Sequence, residues 1–259
     1  MKIIFLFLSI LFAFPHALFA APLPLPFEST VVTHVPLHEK VVALTFDADM
    51  TPYMLKELRT HKVKSWYNTD VIKELERAHV PATLFLTGMW IETYATATRA
   101  LSENPLFELG NHSYSHGGFT SHCYGLSPIS DQTDIAEISK TDALLASHTS
   151  HYSKLFRFPG LCHDSTDVAI AHSLGYSVID GDVYGNDGFE KHASVITKHV
   201  LKKVQSGSIV VLHMHGGPNA PETAVALPAI IKKLQADGYT FLTVSDLLHR
   251  ANSCTVPAT

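Results

Sequence analysis

Two histidines, His112 and His116, stand four residues apart, a spacing at which one helical turn aims both imidazoles in the same direction. Such a pair suits a metal site, but the chain has 17 histidines, and chance alone produces about one pair of this kind. A second pair, His34 and His38, encloses Pro36, and because proline disfavours a helical turn we assign no role to its spacing. The meaning of the first pair therefore depends on the residues that accompany it.

Other residues suited to acid, base or metal chemistry follow directly after apolar runs of the chain. In chain order the whole set is Asp47, Asp49, His112, His116, Arg157, Asp180, Asp182, His213 and His215. If the runs are parallel strands of a barrel, their carboxyl ends share one face and bring these side chains together. Several titratable groups at one barrel mouth are unfavourable unless they serve a site. Two imidazoles and a carboxylate leave a divalent metal with open positions for water, and zinc suits such nitrogen and oxygen ligands.

The elements that would position these residues alternate along the chain as short apolar runs and longer amphipathic runs, which is the pattern of βα units on a parallel sheet. The seven predicted strands are 41–46, 82–87, 107–111, 155–158, 176–179, 208–213 and 239–244. The predicted helices are 70–78, 92–103, 131–147, 165–174, 191–204, 223–236 and 245–250. Since no repeat or linker divides the chain, we expect one barrel domain over 41–250, preceded by an extended surface arm at 22–40 and followed by a tail at 251–259.

The N-terminus has the layout of a secretory signal peptide at 1–21, with Lys2, an apolar run and a small-residue end at Ala20 and Ala21. A retained anchor is the alternative, but the apolar run is shorter than the roughly 17 to 25 residues that span a bilayer. We therefore predict a secreted or periplasmic protein without stable membrane insertion after cleavage. The net charge of −5 does not favour nucleic acid binding, and the sequence leaves the oligomeric state open.

The three cysteines, Cys123, Cys162 and Cys254, would meet an oxidising compartment after export. One disulfide with an odd thiol and three unpaired thiols are both compatible with their spacing.

One segment, 50–69, is longer than the usual βα connection of a few residues. A short extra helix is predicted at 54–58, and Trp66 and Tyr67 follow it. In an exported enzyme these rings could stack against a sugar ring, and the alternative is that they pin the insertion to the barrel.

The order Thr-Phe-Asp, His-Ser-Tyr-Ser-His, Arg-Phe-Pro, an Asp-rich stretch and Leu-His resembles the NodB-homology polysaccharide deacetylases, carbohydrate esterase family 4. The resemblance extends from Val41 to Val244. It implies an α/β fold, a distorted (β/α)7 barrel, which agrees with the seven predicted strands. It also implies a metal-dependent enzyme that hydrolyses the N-acetyl group of N-acetylglucosamine-type residues in a glycan, peptidoglycan or chitin-like, and releases acetate.

The resemblance assigns roles by position. His112 and His116 become metal ligands, and a divalent metal, Zn²⁺, becomes the expected cofactor. The other assigned residues are Asp47 as general base, Arg157 as the residue that orients it, His213 as general acid, and Asp182 or its neighbour Asp180 as the fourth motif, with Asp182 preferred.

The chain departs from the family pattern at several positions. Ala48 stands where the family has a metal-binding Asp, so we predict Asp49 as the third ligand, with Asp47 as the alternative. Gly160 replaces an aromatic residue after the proline of the third motif, which predicts a pocket without that wall. The tryptophan of the fourth motif is missing, and Tyr184 is its candidate replacement.

The residue His215 adds a second histidine after the sixth predicted strand. We expect it to lie at the rim without a role, with an additional ligand or acid as the alternative. Because of these departures, an O-acetyl esterase or other C–N hydrolase and an inactive glycan-binding barrel are alternative functions.

Overall fold

The computed structural model describes residues 31–255 of the 259-residue chain. The predicted signal peptide, 1–21, lies outside the described residues, as do the first part of the predicted arm and the last residues of the predicted tail. Within the described range, the helices lack the combination of length and apolar character that a membrane-crossing helix needs.

Eight described strands pair in parallel to form one sheet, as expected for a series of βα units. In chain order they are β1 (Val41–Ala48), β2 (Ala82–Leu86), β3 (Phe107–Asn111), β4 (Leu155–Phe156), β5 (Ser177–Val178), β6 (Val183–Tyr184), β7 (Ser208–His213) and β8 (Thr240–Leu242). The order across the sheet is β5-β4-β3-β2-β1-β7-β6, and β8 pairs with β1. Every residue of β1 is buried, so this strand forms the centre of the fold.

Helices follow most of the strands and cover the sheet. The described α-helices are α1 (Pro52–Arg59), α2 (Thr69–Ala78), α3 (Gly88–Thr93), α4 (Ala95–Glu103), α5 (Asp131–His148), α6 (Ser165–Ser173), α7 (Ala193–Lys203), α8 (Thr223–Ala236) and α9 (Val244–Thr255). A short 3₁₀ turn, Pro159–Leu161, follows β4. The curled parallel sheet with surrounding helices is the predicted distorted (β/α) barrel.

Several element predictions differ from the structure. The helix predicted at 92–103 is divided at Tyr94 into α3 and α4. The final helix continues to Thr255, so the first residues of the predicted tail are helical. Strands β4, β5 and β8 are shorter than predicted, and β6 was missed because two residues between an Asp-Gly-Asp and a Gly-Asn-Asp segment carry too little apolar pattern.

The arm is not a surface segment over its described part. Val32 and Val35 are buried in the core. Val32 donates a backbone hydrogen bond to Val178 O at 2.9 Å, and Val35 donates one to Gly207 O at 3.0 Å. The expectation of an arm lying on the surface was therefore wrong here, because these residues join the β5 edge to the start of β7 and fill the space between them.

The insertion between β1 and β2 is fixed to the barrel by its aromatic residues. Trp66 is buried and its Nε1–H donates to Met54 O at 2.7 Å. Tyr67 packs edge-on against Trp90, with ring centroids 5.2 Å apart. Of the two alternatives for Trp66 and Tyr67, the structure supports the packing role.

A disulfide joins Cys123 to Cys162, with 5.9 Å between their Cα atoms and a sequence separation of 39. It ties the loop after β3 to the turn after β4. Of the two cysteine alternatives, the structure supports one bridge, and the side chain of Cys254 lies outside the described residues.

Candidate active site

The carboxyl end of β1 places two acidic side chains on one side of the strand and a core residue on the other. Asp47 and Asp49 point toward the barrel mouth, whereas Ala48 packs in the main hydrophobic core. Asp47 pairs with His213 in the β1–β7 register. Ala48, at the position where the family has a metal-binding Asp, therefore faces away from the cluster, and Asp49, the predicted ligand, lies beside the histidines.

Three imidazoles surround the Asp49 carboxylate. Its Oδ1 lies 3.4 Å from His112 Nε2 and 3.3 Å from His116 Nε2, and its Oδ2 lies 3.1 Å from His215 Nε2. All four side chains are buried. The expectation that His215 is a rim residue was wrong, because it lies inside this cluster beside Asp49.

The donor atoms of this cluster fit a divalent cation. Asp49 Oδ1 and His112 Nε2 are buried without a hydrogen-bond partner in the described part of the chain and lie 3.4 Å apart. His116 and His215 direct Nε2, not their unpaired Nδ1, at the Asp49 carboxylate. His112 Nδ1–H donates to Arg157 O at 2.8 Å, which fixes the tautomer and leaves the Nε2 lone pair directed at Asp49. Buried polar atoms left unpaired destabilise a fold unless a ligand uses them. Asp49, His112 and His116 form one possible three-ligand set, and Asp49, His213 and His215 form another.

The protonation states of the cluster also suit a cation. Burial raises the pKa of Asp49, but the neighbouring His116 and His215 outweigh burial and hold this pKa well below its usual range. Burial, opposed in part by Asp49, lowers the pKa of His116 to about 4. Near neutral pH the carboxylate is ionised and this imidazole is neutral, which are the forms that bind metal.

The second carboxylate, Asp47, is held by a buried arginine. Arg157 is 0% exposed, and its Nη1–H donates to Asp47 Oδ1 at 2.7 Å. The remaining guanidinium hydrogen bonds go to Thr45 Oγ1 and to the carbonyl oxygens of Ile179 and Asp180. Because four hydrogen bonds hold the buried guanidinium, Asp47 Oδ1 is fixed while Oδ2 faces the histidine cluster, 3.8 Å from His112 Nε2.

A second carboxylate–histidine pair adjoins this cluster, since the rings of His213 and His215 have centroids 5.1 Å apart. Asp187 Oδ1 accepts a hydrogen bond from His213 Nδ1 at 2.8 Å, and its Oδ2 accepts from His213 N at 2.8 Å and from Thr223 Oγ1 at 2.5 Å. Asp187 is fully buried, whereas the His213 ring is partly exposed. Burial lowers the pKa of His213, but Asp187 outweighs burial and raises this pKa to about 10. His213 therefore carries a proton at neutral pH.

The structure does not bring Asp182 into the site. Its carboxylate accepts hydrogen bonds from Ser208 Oγ and Ile209 N, both at 2.9 Å, at the start of β7 and thus at the opposite end of that strand from His213. Asp180 pairs with His163 at 3.1 Å. The choice of Asp182 is therefore corrected to Asp187, a residue of the same Asp-rich stretch that no spacing rule singled out.

The rim of the site carries two exposed aromatic residues that the sequence analysis missed. Tyr124 is 75% exposed and Phe189 is 72% exposed, and their ring centroids are 5.9 Å apart. Phe189 follows Gly188, where an added Cβ would lie 3.5 Å from the His213 ring. Tyr184, the expected replacement for a tryptophan, is partly exposed and ties its hydroxyl to Gly181 O at 2.6 Å.

Tyr124 occupies the space beside Gly160. Gly160 has a φ of +62°, and a Cβ there would lie 2.6 Å from Cys123 Sγ and 3.2 Å from Tyr124 Cδ2. A side chain at Gly160 is thus excluded by the disulfide and by the tyrosine. The predicted missing wall is supplied by Tyr124, which comes from another loop.

Comparison with known proteins relates this chain to glycan deacetylases. A sequence profile described as polysaccharide deacetylase matches residues 34–179, which is more than half of the chain. A peptidoglycan-N-acetylglucosamine deacetylase of Bacillus cereus is 28% identical over 84% of this chain and 92% of its own length. The peptidoglycan-N-acetylglucosamine deacetylase PgdA of Listeria monocytogenes is 28% identical over 80% of this chain, but the chain spans only 39% of that protein.

The fold has solved counterparts. The crystal structure of a peptidoglycan N-acetylglucosamine deacetylase in complex with 4-naphthalen-1-yl-N-oxidanyl-benzamide superposes with a TM-score of 0.70 at 22% identity. The match covers 83% of this chain and 91% of the other. The predicted distorted (β/α)7 barrel is thereby confirmed.

Proposed function

The chain belongs to the polysaccharide deacetylase family, hydrolases that act on C–N bonds other than peptide bonds, and from this we propose that it deacetylates an N-acetylated glycan outside the cytoplasm. The proposed substrate is an N-acetylglucosamine-type residue of peptidoglycan or of a chitin-like polymer, and the released product is acetate. The proposed cofactor is a divalent metal ion, zinc, held by Asp49, His112 and His116. One observation carries the proposal, namely that a metal-type cluster, an oriented carboxylate and a protonated histidine share one barrel mouth.

When bound in the cluster, a divalent cation supplies Lewis-acid polarisation of an amide carbonyl and makes a water molecule more acidic. Asp47 accepts the proton of the attacking water in this proposal. Arg157 holds Asp47 Oδ1 at 2.7 Å, which orients the carboxylate, so Oδ2 is the oxygen that takes the proton.

His213 donates a proton to the departing amine. Its Nδ1 is engaged by Asp187 at 2.8 Å, so Nε2 is the nitrogen available to the substrate. Because Asp187 raises the pKa of His213 to about 10, the imidazolium is present when the C–N bond breaks. The proposed base and acid are close to each other, because Asp47 and His213 are paired residues of adjacent strands.

A glycan substrate is supported by the rim. Tyr124 and Phe189 present exposed aromatic surface at the mouth, and such rings stack on the apolar face of a pyranose. The B. cereus and L. monocytogenes relatives are named for peptidoglycan N-acetylglucosamine. The signal-peptide layout of 1–21 supports the proposed secreted or periplasmic location, where peptidoglycan and chitin-like polymers are accessible.

The test measures acetate released by the mature chain from three substrates in parallel: an N-acetylglucosamine oligomer, purified peptidoglycan and an O-acetylated xylan. We expect release from the N-acetylated substrates, its loss on treatment with a chelator, and recovery on addition of Zn²⁺. Release from the xylan alone would replace the proposal by an O-acetyl esterase. Full activity after exhaustive metal removal would contradict the mechanism.

A further inference from the structure

His215 lies inside the candidate metal centre, yet the proposed reaction gives it no task. Its side chain is 3% exposed, and its Nε2 lies 3.1 Å from Asp49 Oδ2. The other ring nitrogen, Nδ1, is buried and has no hydrogen-bond partner among residues 31–255. The ring therefore makes its one described polar contact through Nε2 with the Asp49 carboxylate, within a group of side chains that could hold a metal ion.

The strand register explains why His215 reaches Asp49. In the parallel pairing of β1 with β7, Asp47 stands opposite His213. Met214 N–H donates to Asp47 O at 2.9 Å and extends the ladder beyond the last residue of β7. Because side chains alternate along extended backbone, the next pair on the same side is Asp49 with His215.

The backbone around His215 is fixed by the insertion that follows β1. Asn68 N–H donates to Met214 O at 2.8 Å. Gly216 and Gly217 follow with φ values of +62° and +66°, and a Cβ at Gly217 would lie 2.6 Å from the Trp66 ring. The chain therefore turns away directly after His215, and contacts with the insertion hold this turn in place.

We propose that His215 is a fourth protein ligand of the metal ion, bound through Nε2 beside Asp49, His112 and His116. The family pattern has its metal-binding carboxylate at position 48, whereas this chain has a carboxylate at position 49, on the side of β1 that faces His215. The shifted carboxylate and the additional histidine are therefore neighbours. Four protein ligands complete a four-coordinate ion. An open position for water and substrate then requires a coordination number of five or six.

The role of His215 rests on the proposed function, because it requires a bound metal ion. A metal-binding measurement tests this role without an activity assay. Apo-protein is titrated with Zn²⁺ in competition with a chromophoric chelator, for the wild type, His215→Ala and His34→Ala. His34 is the matched control, because its ring contacts Ser206 O at 2.9 Å near the start of β7, away from the mouth. We expect His215→Ala to weaken Zn²⁺ binding by about 10- to 100-fold and His34→Ala to leave it unchanged.

X-ray absorption of the Zn²⁺-loaded proteins counts the imidazole ligands directly. Three imidazoles in the wild type and two in His215→Ala would support the proposal, and two in both proteins would overturn it, even if His215→Ala weakens binding by disturbing Asp49. Circular dichroism of the apo-proteins shows whether each variant is folded. A wild type that binds no Zn²⁺ would contradict the proposed function itself, whereas a wild type that binds Zn²⁺ through two imidazoles would contradict only the role of His215.

Discussion

Two neighbouring groups at the mouth are built from the same residue types, yet the pKa of a histidine is lowered in one and raised in the other. In the first, Asp49 faces His112, His116 and His215, and burial lowers the pKa of His116 to about 4. In the second, Asp187 faces His213 alone and raises its pKa to about 10. At His116 burial outweighs the attraction of Asp49 and the neighbouring imidazoles add to its effect, whereas at His213 the attraction and hydrogen bond of Asp187 outweigh burial.

The two groups also differ in hydrogen bonding. Both oxygens of Asp187 accept hydrogen bonds from His213 or Thr223, so this pair is complete and holds a proton. Around Asp49, one carboxylate oxygen and ring nitrogens of all three imidazoles have no hydrogen-bond partner in the described range. A buried group whose polar atoms lack hydrogen-bond partners is suited to hold a cation, whereas a pair whose polar atoms are all hydrogen-bonded is suited to hold a proton.

The largest expected effect comes from removing the carboxylate of the first group. Asp49→Ala should abolish high-affinity Zn²⁺ binding and lower kcat/KM for an N-acetylglucosamine oligomer by about 10³-fold, because the Lewis-acid contribution is several kcal/mol. Calorimetry of metal binding and acetate release measure the two effects. Retained metal binding would show that Asp47, the alternative ligand, supplies the carboxylate.

The second effect tests the proton-holding pair. Asp187→Asn should lower kcat by about 10²-fold and move the alkaline limb of the pH–rate profile to lower pH, because the charge that raises the pKa of His213 is lost. Metal affinity should not change. Asp182→Asn is the matched control, since Asp182 hydrogen bonds at the far end of β7. A larger loss of kcat with Asp182→Asn than with Asp187→Asn would support Asp182, the residue that the sequence analysis preferred, as the functional carboxylate of the fourth motif.

The same pair predicts how stability depends on pH. The folded-state pKa of His213 is about 10 and thus above the ordinary value of about 6.5. Its stabilisation is therefore complete below pH 6.5 and is lost as the pH rises through about 10. In thermal unfolding with a chelator present, Tm should decrease over this pH interval, and the decrease should be smaller in Asp187→Asn. Each kcal/mol of lost stabilisation corresponds to about 2–4 °C in Tm. Identical pH profiles for both proteins would contradict the coupling.

The smallest effect is expected for substitutions at the rim, which should leave the Asp49 cluster and the Asp187–His213 pair unchanged. Tyr124→Ala or Phe189→Ala should raise KM by about three- to tenfold, the equivalent of one aromatic contact, with kcat and metal affinity unchanged. Tyr53→Ala is the matched control, because Tyr53 is 66% exposed on α1. A fall in kcat without a change in KM would mean that the rim positions His213 instead of the sugar.

Much of the fold could be predicted because it depends on local patterns. The apolar runs ending at Phe46, Asn111 and His213 gave strands, and the intervening amphipathic runs gave helices. Strand β6 could not be predicted, since two residues lack a period and its pairing depends on β7. The buried arm was also missed, because Val32 and Val35 lie in a Pro-punctuated segment and their backbone partners, Val178 and Gly207, are distant in sequence.

The candidate site was partly predictable for a related reason. Residues that follow strands, among them Asp47, His112, Arg157 and His213, share one face in any parallel barrel, so their meeting follows from the fold. Asp187 lies in a loop, and its contact with His213 depends on the path of the chain between β6 and α7. Nothing in its spacing distinguishes it from Asp180 or Asp182.

The sequence by itself determined which residue types follow each strand, the order of the motifs and the parallel architecture that gathers them. Only the tertiary structure decided which carboxylate serves which histidine. That choice depends on the β1–β7 register, which puts Asp49 opposite His215 and turns Ala48 into the core, and on loops that bring Asp187 to His213. Registers and loop paths are set by contacts between segments far apart in the chain, and no local pattern contains them.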